Sequence, residues 1–210
     1  MVNETLFTHR QRGGEGTGSY NLPYTNEKGE AFNAGGLPAG TEYTRQGKRW
    51  SMMSVAAVAG LVVRPSTTAA LEIHNGYGVG GPSLIIDRLF WFNLVSTNVI
   101  ESFSGWAMVT TSKSAPTAEA TALVLSPIGD TYGGSVVGDF STTVVDNGWY
   151  PWGAFTKGAG GVVPHGVVAA EVAGRLIVKP GHSLCLHVVS SLVGQTFTQG
   201  AEWIEETITY

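Results

Sequence analysis

The chain has 210 residues, of which 43% are hydrophobic and 13% charged, and a formal net charge of −4. That length can bury a sizeable core, and low charge with ordinary hydrophobicity excludes global disorder, which needs the reverse balance. With 12 basic against 16 acidic residues, the chain lacks the cationic surplus that phosphate contact requires, so no direct nucleic-acid partner is expected.

Residues 1–50 hold half the basic residues and no sustained apolar period. Glycine-rich runs at 12–19 and 33–40 cannot build a packed core. Leu6, Phe7, Tyr20, Tyr24, Phe32 and Tyr43 are nevertheless scattered through this stretch. The reading is an extended N-terminal arm whose aromatics anchor it to a neighbouring surface, its own or another subunit's. Residues 1–20 contain no apolar core of a secretory signal, and the apolar stretches 55–63 and 89–95 fall short of the roughly 20 residues that span a bilayer. Neither secretion nor membrane insertion is expected.

From residue 51 to 210 the pattern is a series of β-type runs separated by turn clusters. Residues 54–63 read as a strand ending at Arg64-Pro65. Residues 69–74 stop at Asn75-Gly76, and residues 84–95 form a strong run dense in Ile, Leu, Phe and Trp. In residues 103–111, Phe103, Gly105, Ala107 and Val109 share one face, with Trp106, Met108 and Thr110 on the other. Short runs at 122–125 and 136–145 follow, then 167–178, a Pro180-Gly181 turn, 182–190 and 195–209. Eight to ten short strands without a convincing amphipathic helix predict an all-β protein, an antiparallel β-sandwich behind the arm. The 29 Gly and 9 Pro suit strands joined by tight turns.

Residues that carry chemistry are present without the spacing that chemistry needs. Residues 76–81 satisfy G-x-G-x-x-G, but Pro82 and a β run follow where a dinucleotide site needs a helix N-terminus. His182 and His187 are five apart and point to opposite faces of a regular strand; His9, His74 and His165 stand alone. Glu202 and Glu206 share a strand face, with Glu205 on the other, and read as charges guarding an edge strand. Cys185, between Leu184 and Leu186, reads as a small buried hydrophobe. No G-x-S-x-G elbow occurs. The chain is therefore expected to be no enzyme and to hold no cofactor or metal.

Aromatic residues concentrate at 147–153, where Trp149, Tyr150 and Trp152 fall in one turn-like segment with Gly and Pro. Three roles stay open for them: capping the sandwich's own end, filling a subunit interface, or offering a sugar platform with Asp146 and Asn147 beside it. Trp91 and Trp106 read as core, and Trp203 as core or interface.

Residues 173–189 run strand, Pro-Gly corner, strand. This resembles the strand pair that closes jelly-roll subunits in viral and phage structural proteins, and the arm-plus-sandwich layout is similar to that of capsid and decoration proteins. The resemblance implies a jelly roll that self-assembles, often as trimers, without catalysis. The expectation is a capsid-decorating or head-associated subunit, assembled in the host cytoplasm and residing in the virion. A major capsid role fits less well because the arm is not strongly basic. Its partners would be copies of itself, with a homotrimer favoured, and other virion proteins. The alternative is a carbohydrate-binding β-sandwich, lectin-like or a phage receptor-binding domain, with a glycan as ligand.

Overall fold

The computed structural model describes residues 40–96, 102–111, 124–156 and 166–210. The chain divides into two compact units, Met1–Gln46 and Gly47–Tyr210. Of the arm anchors, Phe7, Tyr20, Tyr24 and Phe32 lie outside the described residues; Tyr43 sits on a five-residue helix, α1 (Thr41–Arg45). Arg45 holds Glu42 across one turn of α1, Nε to Oε2 at 2.8 Å.

Among the described residues ten strands build the second unit: β1 (Arg49–Met53), β2 (Val58–Ala59), β3 (Thr68–Asn75), β4 (Ser83–Ser96), β5 (Ser102–Thr110), β6 (Val136–Thr143), β7 (Tyr150–Thr156), β8 (Val167–Val178), β9 (Ser183–Ser190) and β10 (Gln195–Glu206). They form two antiparallel sheets packed face to face. One has the order β1-β10-β4-β8, with β2 also on β10; the other runs β6-β3-β9-β5-β7. Successive strands alternate between the sheets except at β1-β2 and at β5-β6-β7. This interleaving is the double Greek key of a jelly roll, with β6 added at one edge.

The alternation expected from the sequence decides what lies inside. Leu184, Leu186 and Val188 of β9 join Leu71 and Ile73 of β3 and Phe103 and Ala107 of β5 in the main core. Facing them from the other sheet are Ile86, Leu89 and Trp91 of β4 and Phe197, Ala201 and Trp203 of β10. Trp203 is fully buried, which settles it as core. Cys185 is buried as well.

Four expectations change. The run at 54–63 yields only the two-residue β2, with Val55, Val62 and Val63 exposed. It is apolar but has no alternation that would hold one face inward. β1 was not anticipated, although Trp50 and Met52 alternate inward along it. Residues 150–153, read as part of a turn-like segment, belong to strand β7. Pro151 is tolerated there because β7 is an edge strand and an edge residue need not donate to a further neighbour. Finally, β10 lies between β1 and β4, so its glutamates do not guard an edge. Glu202 instead bonds Arg49, 2.9 Å apart.

The long β8 breaks its register against β4 between Ile86 and Arg88. Ala173 (φ 49) and Gly174 (φ 76) take left-handed backbone there. Arg175 folds back over the irregularity, its Nε donating to Val172 O at 3.0 Å.

Candidate functional site

The aromatic segment expected to act together is divided by the pleat of β7. Trp149, just before the strand, is buried in a second cluster with Ala69, Met108, Val144 and Cys185. Cys185 alternates with the core residues Leu184 and Leu186, so this cluster sits on the outer face of the β6-β3-β9-β5-β7 sheet. The β6–β7 connection folds over that face, and Trp149 Nε1 donates to Ser66 O at 2.9 Å. Asp146 and Asn147, the polar neighbours a sugar platform would use, fasten this connection instead. Asp146 pairs with Arg64 at 2.7 Å, which holds its carboxyl below the usual range. Asn147 Nδ2 donates to Val109 O at 2.9 Å. Trp149 therefore caps its own sheet.

Tyr150 and Trp152 point away from that cluster. Tyr150 is 64% exposed and meets Trp152 edge-on at 5.9 Å. Trp152 packs against the main core, and the Arg175 guanidinium of β8 lies 5.1 Å from its ring centre. With the indole engaged on the core side and by a cation, Tyr150 is the ring of this segment open to a partner.

The second cluster also holds a buried base. His187 of β9 stacks edge-on against Trp149 at 6.5 Å, and its Nδ1 accepts from Val188 N at 2.8 Å. Burial lowers its pKa from 6.5 to about 4. The unfolded chain then binds a proton that the folded chain refuses, so stability falls as pH drops through 6.5 towards 4. Relative to neutral pH, this one group should cost about 2 kcal/mol at pH 5. Urea melts at pH 7.5 and pH 5 should show a smaller pH difference in His187→Gln than in the parent by that amount.

A larger surface escaped the sequence reading because it is assembled across strands. On the outer face of the β1-β10-β4-β8 sheet, Phe92 stands between Thr198 and Val167, and Phe90 between Gly200 and Ala169. The two rings lie 5.6 Å apart. Gly200 is required beneath them, because a Cβ there would collide with the Phe90 ring and with Met52 O. Both phenylalanines are half-buried; Leu94 (47%), Val167 (52%) and Met53 (43%) are more exposed. A belt of paired charges crosses the same sheet: Arg88 with Glu171 at 2.6 Å, and Arg49 with Asp87 at 2.6 Å and with Glu202. The result is an apolar patch beside charges already paired within the chain.

His182 and His187 are not brought together: His182 is in the turn before β9, its Nδ1 3.1 Å from Pro180 O, and His187 is in the second cluster. Residues 76–81 form the β3–β4 connection. Among the described residues no group of three or more His, Cys, Asp and Glu side chains is placed to hold a metal ion. No protein-family model matches the chain, and no curated protein sequence matches it.

Proposed function

We propose that this chain is a non-enzymatic structural subunit of a virus or phage particle, of the capsid-decorating or head-associated kind, which self-assembles through its β domain. The carrying observation is the outer face of the β1-β10-β4-β8 sheet, where Phe90, Phe92, Leu94, Val167 and Met53 leave an apolar patch facing solvent on a jelly-roll frame. Jelly rolls serve in capsids, lectins and cupins, so the fold alone does not choose among them. The patch favours assembly, because contiguous apolar surface is what a protein–protein contact buries.

A second copy of the chain is the occupant this surface fits. The charges beside it are paired internally, so two like molecules approach without leaving a buried charge unmatched. A trimer is a ring of head-to-tail contacts, which needs two different patches per subunit. Tyr150, exposed on edge strand β7, offers the second.

The test is the solution mass of the full chain, by light scattering after size exclusion over a hundredfold range of concentration, beside Phe92→Asp. The parent should form a trimer or larger species. Phe92→Asp, altering an outward side chain, should keep the parent's circular dichroism and weaken association by on the order of tenfold or more. A parent that stays monomeric throughout, or a variant that assembles unchanged, would overturn the reading.

A further inference from the structure

Where the start of β1, the β3–β4 connection and the end of β10 meet, the second unit holds a cleft of about 360 Å³. Trp50, Tyr77 and Tyr132 line it, together with Lys48, Glu205 and Glu206. That volume is at the small end of the range that takes a small molecule. Trp50 and Tyr132 meet edge-on at 4.8 Å, which fixes both rings.

The chemistry of the cleft centres on Glu205. Tyr77 Oη donates to its Oε2 at 2.9 Å; Tyr132 Oη donates to its Oε1 at 2.8 Å, and Trp203 Nε1 donates to the same oxygen at 3.3 Å. All three donors are neutral. Burial first, and the charge of Glu205 after it, raise the Tyr132 phenol, and Tyr77 is raised chiefly by burial. Neither gives up its proton at ordinary pH. Among the described residues no cation pairs with Glu205, while Lys48 bonds Glu206 at 3.0 Å. The carboxylate is thus held by hydrogen bonds from neutral donors, and with Lys48 paired to Glu206 the cleft keeps a net charge of about −1 from its ionisable side chains.

A carboxylate has about four acceptor positions. Three are taken, two on Oε1 and one on Oε2, which leaves one on Oε2 for a single N–H donor. A hard divalent ion wants six or more oxygens around it and would have to displace the donors already there. An anion is repelled by the net negative charge of Glu205 and Glu206 taken with Lys48. A neutral sugar leaves the charge where it was. An ammonium or guanidinium group gains from the carboxylate and from the aromatic rings beside it, of which Tyr77 and Tyr132 are only partly buried.

We propose that this cleft is a binding site for a small organic cation, an alkylammonium or guanidinium group seated among Trp50, Tyr77 and Tyr132 against the Glu205 carboxylate. The inference is independent of the assembly reading above. The cation comes either from a free polyamine or from a basic side chain of a protein, and both carry the same chemistry.

The test is calorimetric titration of the full chain with spermidine, arginine amide and tetramethylammonium, with glucose and acetate as neutral and anionic controls. The cations should bind and the controls should not. Glu205→Gln, which keeps the shape and removes the charge, should weaken cation binding about tenfold or more. Tyr77→Phe keeps the ring and opens a second acceptor position on Oε2, so binding should hold or tighten; a tyrosine with only a structural role would predict loss. Thermal melts establish that each variant is folded, and if Glu205→Gln does not fold, the Tyr77→Phe result decides. Tighter binding of spermidine assigns a free polyamine, and tighter binding of arginine amide assigns a protein side chain; both support the site. Absence of cation binding, equal binding of glucose, unchanged affinity in folded Glu205→Gln, or weakened binding in folded Tyr77→Phe would each overturn it.

Discussion

Trp203→Ala should lower the unfolding free energy by about 3–5 kcal/mol. Its indole is fully buried in the middle strand of its sheet, directly across from Trp50 on β1 and Ile86 on β4. Truncation leaves a void that three strands cannot close without losing their register, so both the transfer loss and the cavity cost apply in full. It also removes the Nε1 donor from Glu205. A shift of the urea midpoint with an unchanged slope would report this as stability alone. Trp152→Ala is the informative contrast: that ring is only partly buried and lies beneath Arg175, so its loss should cost a fraction as much. Equal losses for the two tryptophans would contradict the division between core and surface made here.

That division shows what the sequence could reveal. In β5 the side chains alternate, and the residues assigned to each face by period two are the ones found there; Phe103 and Ala107 point inward and Met108 outward. Period-two reasoning works because the pleat is a local property. It did not place Pro151, whose acceptability depends on β7 being an edge, or the glutamates of β10, whose role depends on β10 being internal. Both are facts about neighbours distant in the chain. β1 was hidden because its alternation is short, with only Trp50 and Met52 inward, and it straddles the end of the stretch read as the arm. The segment 147–153 was recognised as unusual, but proximity in sequence suggested a common role. The pleat sends Trp149 to one face and Tyr150 and Trp152 elsewhere.

The surfaces carrying the two proposals were out of reach for the same reason. Phe90 and Phe92 could not be separated from Trp91 as a functional pair while all three simply marked a strong strand. Alternation places them on the opposite face from Trp91, but only the pairing of β4 with β8 and β10 sets Val167 and Ala169 beside them. Tyr77, Tyr132 and Glu205 lie in three separate parts of the chain and carry no motif. Each is ordinary alone, and the cleft exists because three connections end at the same corner of the sandwich.

Gly105→Ala should be among the most damaging single-methyl changes at the described residues. Gly105 lies in β5 between Val188 of β9 and Gly153 of β7, on the face that looks into the sandwich. The indole of Trp91, from the facing sheet, occupies the place a Cβ would take, with three ring atoms far inside van der Waals contact. Trp91 has no exposed surface and no open side to move towards, so one methyl must push the sheets apart or force the ring out of its rotamer. The cost is expected at or above the top of the usual overpacking range of about 1–3 kcal/mol. Gly78→Ala, in the β3–β4 connection with nothing within 4 Å of the added atom, should be close to neutral and controls for backbone entropy. Trp91→Phe in the Gly105→Ala background should recover part of the loss, because the smaller ring yields the space the methyl needs. A double-mutant cycle over the four chains should therefore return a coupling of about 1 kcal/mol or more. A cycle that closes to zero would mean that the ring and the glycine do not meet, and the spacing of the two sheets at their centre would have to be redrawn.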